Sequence, residues 1–209
     1  MHADYSVELG RKDPALELPW SSEDKASRYY DLKRNPELVL QIREALNSAE
    51  LSAFLTRMNA SGFPLQTAKC DLWYSRDLSS EEEVFGAAGK FVSYIDIVFA
   101  EDGSEHSEPT AAPRAMTAAR RLTFEAHEAL AKNLCTLLKR APEIAATVEL
   151  VIRHCHFHTE GDHEKSDCGF CITTYVSGFG GDEAEARQRW SIAITLVQNA
   201  LVQAARGIR

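Results

Sequence analysis

Four strand-like runs, arranged as two pairs with an amphipathic helix after each pair, limit what this chain can fold into more than any other feature. In residues 66–76, Ala68, Cys70, Leu72 and Tyr74 fall on one side of an alternating pattern and Lys69, Asp71 and Trp73 on the other. Residues 90–100 are rich in β-branched and aromatic side chains, with Phe91, Val92, Tyr94, Ile95, Ile97, Val98 and Phe99. Residues 147–158 and 168–178 form the second pair. Residues 120–140 carry Leu122, Ala126, Leu130, Leu134, Leu137 and Leu138 at helical spacing, with Pro142 just beyond. The last helix is announced by Asp182 and Glu185, a capping signature, and continues through Trp190, Ile194, Val197 and Leu201 to Gly207.

A further helical stripe precedes the strands. Asn35-Pro36-Glu37 reads as a helix start, and Leu38, Ile42, Leu46, Leu51, Phe54, Leu55 and Met58 follow, with a break near Asn47-Ser48. The resulting order is α-ββα-ββα. It predicts an α+β fold: a four-stranded, mainly antiparallel sheet with helices on one face. Residues 1–35 are expected to be an extended N-terminal arm packed on the domain, through Leu16, Leu18 and Trp20. Residues 36–209 then form a single domain. A chain of 209 residues can bury roughly 70% of its unfolded surface, so it needs no metal or disulfide merely to fold. Residues 101–117, rich in Ser, Pro, Ala and acid, read as a mobile linker.

Charge narrows the partners. A formal net charge of -8 and only short basic clusters, such as Arg120-Arg121, argue against nucleic acid, whose binding depends on Lys and Arg. Residues 1–10 contain Asp4 and Glu8 and no apolar run of a signal peptide. The stretch 190–205 is too short and too polar to span a membrane. Five cysteines, an odd number, fit a reducing compartment. The expectation is a cytoplasmic protein with neither nucleic-acid nor membrane partners.

Chemistry concentrates in one region. Residues 153–171 hold four of the seven histidines and three of the five cysteines. In a strand, His154, His156 and His158 share a face, about 6.5 Å apart at each step. Cys168-x-x-Cys171 has zinc-compatible spacing, and His163 lies in the loop before it. His154, His156, His158, His163, Cys168 and Cys171 are therefore the candidate metal ligands, with zinc the ion and a metal-dependent hydrolase the corresponding activity; Glu160, Asp162 or Glu164 would be its base. Against this, Cys155 points away from the three histidines, and Cys168 and Cys171 fall on opposite faces of a regular strand. A hairpin pairing Cys155 with Cys171 would set two sulfurs side by side; one shifted by two would oppose His156 and Cys168. Cys70 and Cys135 fit core faces.

Other motifs are incomplete. His127-Glu128 lacks the second histidine of a helical zinc-protease signature, and Ser177-Gly178-Phe-Gly180-Gly181 lacks the last glycine of a dinucleotide fingerprint. Asp71 and Asp96, inside strand runs, can form a carboxylate pair. The leading expectation is a non-enzymatic binding or interaction domain that self-associates, as a homodimer, through or beside its helix-free sheet face. Its helix-free sheet face carries Trp73, Tyr175 and either Phe91 or Tyr94 depending on register, and needs a cover. The N-terminal arm, a second copy in a homodimer, or a small-molecule ligand would supply one. A sensor pocket between the sheet and the last helix is a further option.

Overall fold

A computed structural model of the protein describes residues 1–22, 27–100, 121–159 and 162–207. The architecture is α+β, but the sheet corrects the expectation. It has six strands and is mixed, not four strands and mainly antiparallel. The antiparallel part comprises β3 (Leu65–Ser75), β4 (Gly89–Phe99), β5 (Ala146–Thr159) and β6 (Asp162–Gly180). Two strands from the N-terminal stretch complete it: β1 (His2–Glu8) and β2 (Leu16–Leu18) pair in parallel with successive halves of β5. The order is β1-β5-β6-β4-β3, with β2 beside the far half of β5.

The physical reason is plain in residues 2–8. Ala3, Tyr5 and Val7 alternate with His2, Asp4, Ser6 and Glu8, a true strand pattern whose apolar members are too small and few to stand out from irregular chain. Tertiary pairing makes it a strand, because the exposed edge of β5 offers a ladder of unpaired backbone groups. Residues 2–8 and 16–18 of the arm are thus strands of the sheet, and Leu18, Trp20 and Tyr29 lie over one end of its helix-free face. The expected linker at residues 101–117 lies outside the described residues.

Helices α2 (Ala49–Met58), α3 (Phe124–Leu138) and α4 (Glu183–Ala205) pack on one face. The start expected at Asn35-Pro36 is a 3₁₀ turn, Pro36–Gln41, without a side-chain cap from Asn35; the short α1 (Arg43–Leu46) follows. Ser48 caps α2 by accepting from the Leu51 N–H. The main core joins Phe54, Leu55 and Met58 of α2 and Leu134 and Leu138 of α3 to Ile95, Ile97, Leu150, Ile152, Ile172 and Val176 of the sheet. Trp190 of α4 lies at its centre: its Nε1–H donates to Ser93 Oγ at 2.9 Å, and its ring meets Phe91 edge-on at 5.2 Å. Gly178 of β6 lets α4 approach this closely, since a Cβ there would collide with the backbone of Trp190 and Ala186.

No described helix covers the opposite face. A 3₁₀ turn, Glu82–Phe85, closes one end, with Phe85 stacked on Phe179 at 4.3 Å and Glu82 paired to Lys90 at 2.7 Å. At the other end a second apolar cluster forms where Leu16 and Leu18 meet Ala68, Val98, Cys155, Phe157 and Cys171, with Trp20 and Tyr29 packed against them. Ala68 reaches this cluster through a bulge between Thr67 and Lys69, which turns it away from the Cys70–Leu72–Tyr74 face on which simple alternation placed it. Between the two covers runs a band of exposed and half-buried polar and aromatic side chains. Among the described residues, no helix is long and apolar enough to cross a membrane.

Candidate binding face

The band is built by register. Asp71 of β3, Tyr94 of β4, Tyr175 of β6, Glu149 of β5 and Asp4 of β1 are successive cross-strand partners, so they form one rung across the sheet. The next rung on the same face is Lys69, Asp96, Thr173, Val151 and Ser6. One step further, Arg153 lies between Cys171 and Glu8. Trp73, 37% exposed, meets Tyr94 at 6.3 Å, and Tyr94 meets Tyr175 at 6.1 Å. The structure thus resolves the register question: Tyr94 joins Trp73 and Tyr175 on the helix-free face, and Phe91 points into the helix layer.

Asp96 is the unusual member. It is 7% exposed, in the middle of a strand whose neighbours are Ile95, Ile97 and Val98. Thr173 Oγ1 donates to its Oδ1 at 2.5 Å, the one hydrogen bond of this carboxyl among the described residues. Burial raises its pKa above the ordinary carboxylate value; the Thr173 bond and the charges of Lys69 and Arg153 oppose the rise without cancelling it. Arg153 donates through Nε and Nη2 to Glu8 Oε2 at 2.9 and 2.7 Å, and through Nη1 to Thr173 Oγ1 and Tyr175 Oη at 3.3 and 3.2 Å. Burial works against its charge, but Tyr175 and Glu8 outweigh that and hold the guanidinium charged. Glu8, Arg153, Thr173 and Asp96 form one continuous polar chain across β1, β5, β6 and β4. Burial, with the carboxylates of Asp96 and Asp71, pushes the Tyr94 phenol well up, so its hydroxyl stays protonated.

On its β3 side the band opens into a cleft of about 850 Å³, between residues 15–22 and 27–44 and β3, lined by Trp20, Tyr30, Glu44, Lys69, Asp71 and Tyr94 among others. Its volume falls within the usual range for ligand pockets. Trp20 fixes the far wall: its Nε1–H donates to the Ala68 carbonyl at 2.8 Å, and Lys69 Nζ lies 5.1 Å from its ring centre.

The His/Cys region divides between the two faces. The hairpin register opposes His156 to Cys168 and Cys155 to Gly169, the second of the two alignments considered from sequence. His154 stacks on Phe170 at 5.5 Å, and Cys168 Sγ lies 3.8 Å from His154 Nδ1. His158 Nε2 is 2.5 Å from Glu17 Oε2 of β2. These groups share the helix-side face. Cys171 is on the other face, fully buried in the second apolar cluster near Cys155. The side chain of His163 falls outside the described residues. Among the described residues no three His, Cys, Asp or Glu side chains converge in a metal-holding group. His127 is buried on α3, its Nδ1 2.8 Å from the Thr123 carbonyl oxygen and its ring edge-on to Phe99.

Sequence reasoning paired Asp71 with Asp96 and put Trp73 and Tyr175 on one face with Phe91 or Tyr94, but did not join the two groups, and it passed over Glu8, Arg153 and Thr173. The available signal was Asp96 itself, a carboxylate embedded in an apolar strand. Arg153 was seen only as the edge of the histidine run. Comparison of the chain with protein-family models, with curated proteins and with solved structures finds no match.

Proposed function

We propose that this protein is a binding domain that works through the band on its helix-free face and the cleft beside it. The observation that carries this reading is Asp96, a nearly buried carboxyl with a single hydrogen-bond partner, on the rung next to the half-buried rings of Tyr94 and Tyr175. Burying a carboxyl with only one of its oxygens bonded is unfavourable, and an apolar residue would serve the sheet better at that position. Such a group is retained where a ligand completes its hydrogen bonds. The aromatic rings supply the apolar contact area typical of binding surfaces, and the Glu8–Arg153–Thr173 chain fixes the geometry.

Face-to-face pairing of two copies would bring Asp4, Asp71 and Glu149 against their own likeness, so the favoured occupant is a separate ligand rather than a second copy. A fragment screen followed by amide chemical shifts tests the reading. Hits are expected to shift residues 69–73, 94–96 and 173–175 most. Hits that gather elsewhere, or a screen that perturbs nothing in the band, would end it. Sedimentation of the same sample over a concentration series reports whether self-association occupies the face instead.

A further inference from the structure

The rung Asp71–Tyr94–Tyr175–Glu149–Asp4 spans the five long strands of the sheet. At about 4.8 Å between neighbouring strands it is about 19 Å long. Carboxylates occupy both ends and phenol rings the middle. Asp4, Asp71 and Glu149 are all exposed, and none forms an ion pair with a described residue. Asp4 and Asp71 accept only from the adjacent backbone N–H groups of Tyr5 and Leu72.

The two cations of the band are already engaged. Arg153 is held by Glu8 at 2.7 Å and lies 5.7 Å from the Tyr175 ring centre, and Lys69 lies over Trp20. On the adjoining rung, beside Tyr94, Asp96 keeps one carboxyl oxygen without a hydrogen-bond donor. An anionic ligand would meet uncompensated carboxylates at each end of the rung. A neutral apolar ligand would cover Asp96 without supplying a donor. A ligand with positive charges at its ends, apolar length between them and N–H donors along it meets every group on the rung: ammonium ions pair with carboxylates, and cations and methylenes both pack on phenol rings.

We propose that this rung binds a linear aliphatic polyamine. Its terminal ammonium groups pair with Asp71 at one end and with Glu149 and Asp4 at the other. Its chain crosses Tyr94 and Tyr175, and an inner amine donates to Asp96. The inference rests on the reading of this face as a binding surface and gives that surface its ligand chemistry.

Spermine, titrated into the full chain by calorimetry and by amide shifts, is the test, with butylamine and magnesium chloride as controls at matched ionic strength. Saturable shifts confined to residues 69–73, 94–96, 149 and 173–175 are expected, weakening as salt rises. Asp71→Asn and Glu149→Gln, both at exposed positions, are each expected to weaken spermine about two- to fivefold. Asp96→Asn is expected to weaken it about tenfold or more. Shifts spread evenly over the acidic surface, magnesium competing as well as spermine, or variants that titrate like the parent would each overturn the proposal. Should fragments map to the band while spermine does not, the polyamine assignment falls and the binding reading stands. Should neither map there, both fall.

Discussion

Thr173 Oγ1 donates to Asp96 Oδ1 at 2.5 Å across the β6–β4 pair, and the same Thr173 oxygen accepts from Arg153 Nη1 at 3.3 Å. One hydroxyl therefore bridges the buried carboxyl of Asp96 and the half-buried guanidinium of Arg153 on the helix-free face. The pair is built entirely by antiparallel register, since the two residues are 77 positions apart in the chain. It puts polar groups where a sheet of this kind would gain more from apolar ones.

Asp96 binds its proton more tightly folded than unfolded, because burial raises its pKa above the ordinary 3.8. Its contribution therefore favours the folded state at low pH and is lost as pH rises from that unfolded value through the raised folded one. Asp96→Asn removes the titration while keeping an oxygen that can accept from Thr173. The variant is expected to melt above the parent at about pH 7, with the gap closing toward about pH 4. Thermal melts across that range check it, and a gap independent of pH contradicts the assignment.

Gly178 and Gly181 make opposite demands. A Cβ on Gly178 meets Trp190 N and Ala186 O, backbone atoms that cannot step aside without moving α4. Gly178→Ala is expected to cost about 3 kcal/mol in urea unfolding. A Cβ on Gly181 comes no closer than 3.4 Å to the flexible tip of Glu185, so Gly181→Ala is expected to stay within about 0.5 kcal/mol of the parent.

The start of α4 is doubly tied. Asp182 Oδ1 accepts from the Glu185 N–H at 2.8 Å, and Glu185 Oε2 accepts from the Gly181 N–H at 2.6 Å. Asp182→Ala is expected to destabilise the protein by about 1 kcal/mol, read from the midpoint of urea unfolding. Asp182→Ser should recover most of the loss, since its hydroxyl caps the same N–H.

Thiol chemistry should follow burial. Cys168 is exposed, whereas Cys155 and Cys171 are buried and their pKa values are pushed up by the loss of solvent; burial also pushes Cys70 up to about 12. Iodoacetamide on the native protein is expected to label Cys168 first, with Cys155 and Cys171 reacting only after unfolding. Peptide mass spectrometry of timed samples checks the order, and early labelling of Cys155 or Cys171 would show that the second apolar cluster opens readily.

The same division of sulfurs bears on zinc. Cys171 faces the second apolar cluster while His154 and Cys168 share the helix side, so these three of the expected ligands do not meet at one point. Protein purified without a histidine tag is expected to hold less than roughly a tenth of an equivalent of zinc by elemental analysis. A stoichiometric content abolished by Cys168→Ser would reverse that expectation.

Local pattern determined a good deal. Trp190, Ile194, Val197 and Leu201 repeat at helical spacing, and Asp182 with Glu185 marks where that helix begins; both signals act over a few residues and need no partner. The β-branched and aromatic runs of β4 and β5 were legible for the same reason, as was the aromatic character of a second sheet face. Only the tertiary structure decided that residues 2–8 are a strand, because Ala3, Tyr5 and Val7 are stabilised by the edge of β5 rather than by their own apolarity. It also decided that Ala68 turns toward Val98 through a bulge, and that Asp71, Tyr94, Tyr175, Glu149 and Asp4 line up. Register is set by how the whole apolar set of each strand meets the helix layer, and a shift of one residue would send every one of those side chains to the other face. A rung assembled from five strands is a property of that packing, and no window along the chain contains it.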